Sequence, residues 1–226
     1  IEVVSGVLQH ESDELNRAWA FAVRQGRPFV TWKVATTLDG RIAAADGSSR
    51  WITGEQARAD VHNFRGSVDA VLVGRGTVLA DDPSLTVRID GESRSRDQQP
   101  LRVVVGQGDL GSHHRVFDDE AETLVLRTRS VDVVLAALHE REIRHVLLEG
   151  GATIAAAFLK AGAIDSVRWY IAPVLLGSGL PAVSEFGVRS IAEALRLDEV
   201  SAASLGMDVL ITGTVPARNV NHEELD

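Results

Sequence analysis

Short apolar runs that alternate with stretches of helical periodicity place the strongest constraint on this chain. Runs of strand type occupy residues 29–35, 69–74, 102–105, 123–126, 145–149, 166–172 and 207–214. Helical patterns separate several of them. Leu15, Ala18, Trp19 and Ala22 lie at 3–4 spacing within residues 12–25, with Ser12 placed to cap that helix. Thr53 and Gln56 have the spacing of a capping box and open a helix to about Arg65. Helices are also predicted over residues 131–141 and 151–161. Strands alternating with helices argue for an α/β fold around a mostly parallel central sheet flanked by helices.

At 226 residues the chain can bury a sizeable core in a single domain. We read residues 1–27 as an N-terminal linker and helix, 28–215 as the main domain, and 216–226 as a polar tail. Residues 90–99 and 106–121 read as surface insertions within that domain.

Composition narrows the function. The net charge of −9 argues against a general nucleic-acid or anionic-membrane binder, although a local cationic pocket remains open. The absence of cysteine removes disulfides, thiolate zinc sites, iron–sulfur clusters and cysteine nucleophiles. No metal site is expected, since His113 and His114 have no third ligand at a telling spacing. Apolar runs fall short of the roughly 18 residues of a membrane span, and the N-terminus shows no signal peptide. A cytoplasmic setting is the expectation. The chain does not begin with Met, which fits a fragment or a processed start equally.

Two turns invite a nucleotide. The strand ending Leu147-Leu148-Glu149 runs into Gly150-Gly151 and then an alanine-rich helix, where backbone N–H groups and the helix dipole suit a phosphate. An ordinary strand-to-helix turn would read the same. Gly74-Arg75-Gly76 imitates the opening of a dinucleotide fingerprint, but Leu79 stands where the third glycine belongs, which disfavours a standard Rossmann site. Asp81 and Asp82 follow, as an acid/base pair, a metal site or a solvated cap. Trp51 serves as a stacking platform for a ring or as the anchor of a helix entrance.

Seven segments, in order, then carry a resemblance. They are Lys33 to Ala43 (KVATTLDGRIA), Ser49 to Gly54 (SRWITG), Asp69 to Gly74 (DAVLVG), Gly76 to Pro83 (GTVLADDP), Leu85 to Arg88 (LTVR), Glu149-Gly150-Gly151, and Ile171 to Gly177 (IAPVLLG). The chain resembles the reductase domain of the bacterial bifunctional riboflavin-biosynthesis deaminase/reductase. That resemblance implies a dihydrofolate-reductase-like fold and NADPH-dependent reduction of 5-amino-6-(5-phosphoribosylamino)uracil, with hydride delivered to ribose C1′ of the ring-opened imine. It places Thr36, Trp51, Thr77 and Asp81 at the cofactor, with Gly151, Ala152, Thr153, Ile154 and Ala155 around its pyrophosphate. Ser49, Arg65, Leu85, Arg88 and Glu149 match substrate positions.

Arg65 and Arg88 are planar forks suited to a phosphate, although either could make a surface ion pair. Glu149 could accept from ribityl hydroxyls or the amine, or cap a neighbouring loop. Lys33, one of only two lysines, is a catalytic candidate with Glu149: it could polarise the imine or protonate a leaving oxygen, or its stem could pack on the sheet edge with its amine in water. The resemblance further implies a homodimer, for which the alternating run 166–171 offers either an interface or ordinary sheet packing, and a separate or fused deaminase as partner. The family's zinc-deaminase motifs are not in this sequence, and Val105-Gly106 departs from the acidic residue many members carry after that strand. A pterin reductase, a reductase of the diaminopyrimidine, and a non-catalytic NADPH-binding module are the competing readings.

Overall fold

The structure is a computed structural model in which residues 3–216 are described. In chain order the elements are α1 (Gln9–Gln25), β1 (Phe29–Thr37), β2 (Arg41–Ala43), α2 (Glu55–Arg65), β3 (Ala70–Gly74), α3 (Arg75–Asp81), β4 (Arg88–Ile89), β5 (Glu92–Ser93), β6 (Leu101–Val105) and β7 (Thr123–Leu126). They continue with α4 (Val131–His139), β8 (His145–Leu148), α5 (Ala152–Lys160), β9 (Ser166–Ala172), β10 (Leu180–Pro181), β11 (Asp198–Leu205) and β12 (Asp208–Thr214). All but one residue of the predicted polar tail lies outside the described range.

Eight strands form one sheet in the order β11-β12-β9-β1-β8-β3-β6-β7. Neighbours from β9 to β7 run parallel, and β12 and β11 close the other edge antiparallel. The mostly parallel sheet flanked by helices is the architecture that the alternating pattern predicts. Parallel strands are covered on both faces and therefore read as continuous apolar runs rather than strict alternations. Residues 29–34 follow this rule, with only Lys33 breaking the buried series.

Alternation along β1 still decides which side each residue serves. Val30, Trp32 and Val34 join one core with Val134, Leu135 and Leu138 of α4 and Ala155, Phe158 and Leu159 of α5. On the opposite face Val78 of α3 packs on Val71, Val73 and Leu147, and Ala57 and Val61 of α2 pack on Tyr170 and Leu210. Lys33 thus emerges on the side that carries α2.

Several local expectations change. Helix α1 begins at Gln9 behind Leu8, whose backbone is left-handed, and no side chain caps it. Ser12 instead donates its N–H to the Leu8 carbonyl within the first turn. The capping box of Thr53 and Gln56 does not form: Gly54 is the N-cap of α2, without a side-chain cap bond. The Gly54 N–H goes to the Asp208 carboxylate at 2.7 Å, a partner 154 residues away that local spacing cannot reveal. Residues 75–81 form a short helix, and Asp82 ends it in left-handed backbone while its carboxylate accepts from the Arg115 N–H at 2.9 Å. The insertion at 90–99 contains the β4–β5 hairpin partner strand and a single 3-10 turn. Run 166–171 lies between β1 and β12, so its backbone is fully engaged within the sheet.

Arg102 of β6 is 0% exposed. Its guanidinium donates to Asp118 Oδ1 at 2.7 Å, to the Asp118 and Ala121 carbonyls, and to Thr123 Oγ1 at 2.9 Å. A buried charge persists only when paired and hydrogen-bonded in this way, and here it fastens the 115–121 turn beneath the sheet.

Candidate active site

The topology sets β1, β8 and β3 side by side and parallel. Open α/β sheets bind ligands beyond the carboxyl ends of such strands. Near those ends a cavity of about 530 Å³ is lined by Lys33, Trp51, Arg58, His62, Arg65, Arg88 and Tyr170, among others.

Two of the lining residues, Lys33 and Arg65, belong to an ion cluster centred on Glu149. The Arg65 guanidinium, at the last residue of α2, donates from Nε to Glu149 Oε1 at 2.6 Å and from Nη2 to Oε2 at 2.9 Å. Its Nη1 donates to the Thr86 carbonyl at 3.0 Å. The Lys33 ammonium lies 3.7 Å from Glu149 Oε2. Exposure of the three side chains is 19% for Lys33, 13% for Arg65 and 8% for Glu149, so water screens the cluster weakly.

Electrostatics follow from this burial. Desolvation pulls the Lys33 amine below its ordinary value, Glu149 opposes that, and Arg65 reinforces it. For Glu149 burial favours the acid form, but Arg65 and Lys33 outweigh it and hold the carboxyl at about 2. Glu149 is therefore a carboxylate across the neutral range. Lys33 is an amine made more acidic by burial and kept beside an anion, an arrangement suited to proton transfer.

The structure separates the two arginines that the sequence pairs. Arg65 spends its fork on Glu149, which leaves Arg88 as the open cation. Arg88 is exposed, and its guanidinium has no protein partner among the described residues. Trp51 is 70% exposed rather than anchored in the core. Its indole carries the Arg58 guanidinium 4.8 Å from the ring centroid, and Arg58 also donates to the Thr53 carbonyl at 2.6 Å.

A second cluster sits at the neighbouring turns. Gly151 is the N-cap of α5, and no side chain caps that helix. The Gly151 N–H approaches Thr77 Oγ1 at 3.4 Å, which joins the β8–α5 turn to the first turn of α3. A Cβ at Gly151 would meet only Thr77 Oγ1, at 3.9 Å, and one at Gly76 would meet nothing within 4 Å. Open backbone around an uncapped helix start fits a phosphate. Ala152, Thr153 and Ile154 form that first turn, whereas Ala155 is already in the core.

The remaining sequence candidates are dispersed. The Thr36 hydroxyl is buried and accepts the Trp169 indole N–H at 2.9 Å. Leu85 packs its side chain in the core beside Val71 and Val73 while its backbone is left-handed. Asp81 accepts an Arg50 guanidinium bond on its carbonyl, and Ser49 is half-buried one residue before Arg50. At Gly106, φ is +145° and a Cβ would stand 2.9 Å from Arg75 Cβ, so the glycine departure matches a close backbone approach.

Arg58, His62 and Tyr170 escape the sequence reading. Tyr170 lies in a buried strand and donates its hydroxyl to Asp60 Oδ2 at 2.6 Å. Arg168 holds the same carboxylate oxygen at 2.6 Å. The one available signal is helical spacing, which places Arg58, Val61, His62 and Arg65 on one side of α2.

Comparison with known proteins identifies the family. Residues 28–211 match the family model described as the RibD C-terminal domain. The riboflavin biosynthesis protein RibD of Mycobacterium tuberculosis is 50% identical over 213 residues, covering 94% of this chain and 62% of that protein. A 2,5-diamino-6-ribosylamino-4(3H)-pyrimidinone 5′-phosphate reductase of Methanothermobacter thermautotrophicus is 38% identical over 217 residues, 84% of this chain and 99% of its own length. Among solved structures, a diaminohydroxyphosphoribosylaminopyrimidine deaminase/5-amino-6-(5-phosphoribosylamino)uracil reductase from Thermotoga maritima superposes with a TM-score of 0.84 at 34% identity. The match covers 96% of this chain and 64% of that one. The chain thus spans less than two thirds of these RibD proteins but nearly all of the archaeal reductase. The match over residues 28–211, together with 50% identity to a RibD protein over 94% of the chain, makes it a member of the RibD C-terminal domain family.

Proposed function

We propose that the chain reduces 5-amino-6-(5-phosphoribosylamino)uracil to the ribitylamino compound with NADPH. The buried Lys33–Glu149–Arg65 cluster, whose two cations line a cavity that Arg88 also lines, carries this reading.

The uncapped start of α5, Thr77 and the open glycine turns fit the pyrophosphate of a dinucleotide. NADPH, when bound, supplies the hydride. Every other task belongs to the chain. Arg88 offers a free fork to the substrate phosphate at the cavity edge. Lys33 gives its proton to the ribose ring oxygen as the C1′–O bond breaks and the nitrogen lone pair forms the protonated imine, which keeps its N–H as hydride reaches C1′. Glu149 stabilises the Lys33 ammonium beforehand and holds Arg65 against the wall. Trp51 offers an exposed ring face at the cavity rim, and shape at this wall orients C1′ toward the incoming hydride.

A second reading takes the diaminopyrimidine before deamination, favoured by the near-complete coverage of the archaeal reductase. The assay follows loss of reduced-nicotinamide absorbance. The substrate is the phosphoribosylaminouracil generated in place by a separate deaminase, the undeaminated diaminopyrimidine, or dihydrofolate. Turnover with the uracil is the expected result, and turnover with the diaminopyrimidine alone moves the assignment to the second reading. Consumption with dihydrofolate alone overturns both. Arg88→Ala should raise KM for the phosphorylated pyrimidine at least tenfold and leave KM for NADPH within twofold.

A further inference from the structure

We propose that His62 is a positioning residue that holds Arg88 in place for the substrate phosphate, through a bond from its Nδ1 to the Arg88 backbone. The inference rests on the functional reading above for the identity of the ligand.

His62 lies one turn before Arg65 on α2, and its ring borders the same cavity. The Arg88 N–H donates to His62 Nδ1 at 3.1 Å. An imidazole nitrogen that accepts is unprotonated, so a neutral ring carries its hydrogen on Nε2. Burial favours that neutral form, Arg65 adds to it, Glu149 opposes, Arg88 adds again, and the Thr86 carbonyl opposes weakly. The acceptor is thus available at neutral pH.

Arg88 needs such a tether. Its strand β4 is two residues long and pairs only with the equally short β5. The preceding residue is fastened separately, because the Val87 N–H donates to Gln99 Oε1 at 2.7 Å and Gln99 Nε2 returns a bond to the Val87 carbonyl. Gln99 therefore fixes the segment to the protein body, whereas His62 joins the Arg88 peptide itself to the helix that supplies Arg65. Arg88 presents its free fork from a backbone held by one side-chain acceptor.

The test is calorimetric binding of ribose 5-phosphate to the wild type, His62→Asn and His62→Leu, with kcat and KM measured alongside. Asparagine sets its Oδ1 where Nδ1 stands and keeps the acceptor; leucine keeps bulk and loses it. The expected result is five- to tenfold weaker binding and a matching rise in KM for His62→Leu, with kcat and KM for NADPH within twofold. His62→Asn should restore affinity to within twofold of wild type. If leucine does not fold, His62→Gln serves, because its longer side chain carries the amide past the Nδ1 position. Equal binding by all variants overturns the proposal, as does an asparagine variant as weak as leucine, or a wild type that does not bind ribose 5-phosphate. A wild type that binds with this pattern but oxidises no NADPH with any pyrimidine sinks the functional reading alone.

Discussion

Replacing Glu149 by Gln should destabilise the protein by about 3 kcal/mol at pH 7, and the loss should shrink in acid. Glu149 titrates at about 2 in the folded state against an ordinary value of 4.5. That gap corresponds to about 3 kcal/mol at roughly 1.4 kcal/mol per pH unit. The folded value is depressed, so the stabilisation is fully present above pH 4.5 and is lost as pH falls toward 2. At pH 3 the same relation leaves less than half of it. Geometry supports the size, since Gln keeps one acceptor for Arg65 but leaves two buried cations without a counter-charge, a change that costs about 3–5 kcal/mol elsewhere. Urea unfolding of both proteins at pH 7 and pH 3 measures it, and the variant's midpoint temperature at pH 7 should fall by about 6–12 °C. A difference below about 1 kcal/mol at pH 7, or one equal at both pH values, would refute the picture of a carboxylate stabilised by Arg65 and Lys33.

Three further outcomes are expected. Gly150→Ala would bring a Cβ to 2.0 Å from Ile154 Cγ2, so it should cost about 1–3 kcal/mol in thermal unfolding and raise KM for NADPH through the displaced first turn of α5. Unchanged stability would show that Ile154 can move freely. Arg102→Met should lose at least about 3 kcal/mol in urea, because Asp118 and several carbonyls lose their donor together; a loss under 1 kcal/mol would contradict its assigned role. Thr77→Val removes the hydroxyl beside the Gly151 N–H and should raise KM for NADPH about threefold, with the pyrimidine KM unchanged; equal effects on both would argue against a cofactor turn at that place.

Much of the sheet was legible because buried parallel strands are apolar throughout, and strands at 123–126 and 166–172 match their predicted bounds. Strand β11 was not legible, since almost all of its residues are exposed and Ser and Ala fill its centre. Helix α3 was missed because residues 74–76 also fit a glycine-rich turn, and only the burial of Val78 against Val71 and Val73 decides the matter. Helix starts were misplaced at Ser12 and Thr53, where backbone conformation or the distant Asp208 took over the capping task.

The chemistry divides along the same line. Sequence alone determined that Lys33, Arg88 and Glu149 are present in motifs of one family, that Arg65 stands at a position the resemblance matches to substrate, and that glycines precede the helix at 152. Tertiary structure decided what each of them does. It paired Arg65 with Glu149 across 84 residues and so left Arg88 as the open cation. It buried Thr36 and Leu85 in the protein interior, outside the cavity lining, and it brought Arg58 and His62 to the cavity. The physical reason is that residue type records which charges and shapes a chain carries. The partner of each charge, and the water excluded around it, are set by strands and helices distant in sequence.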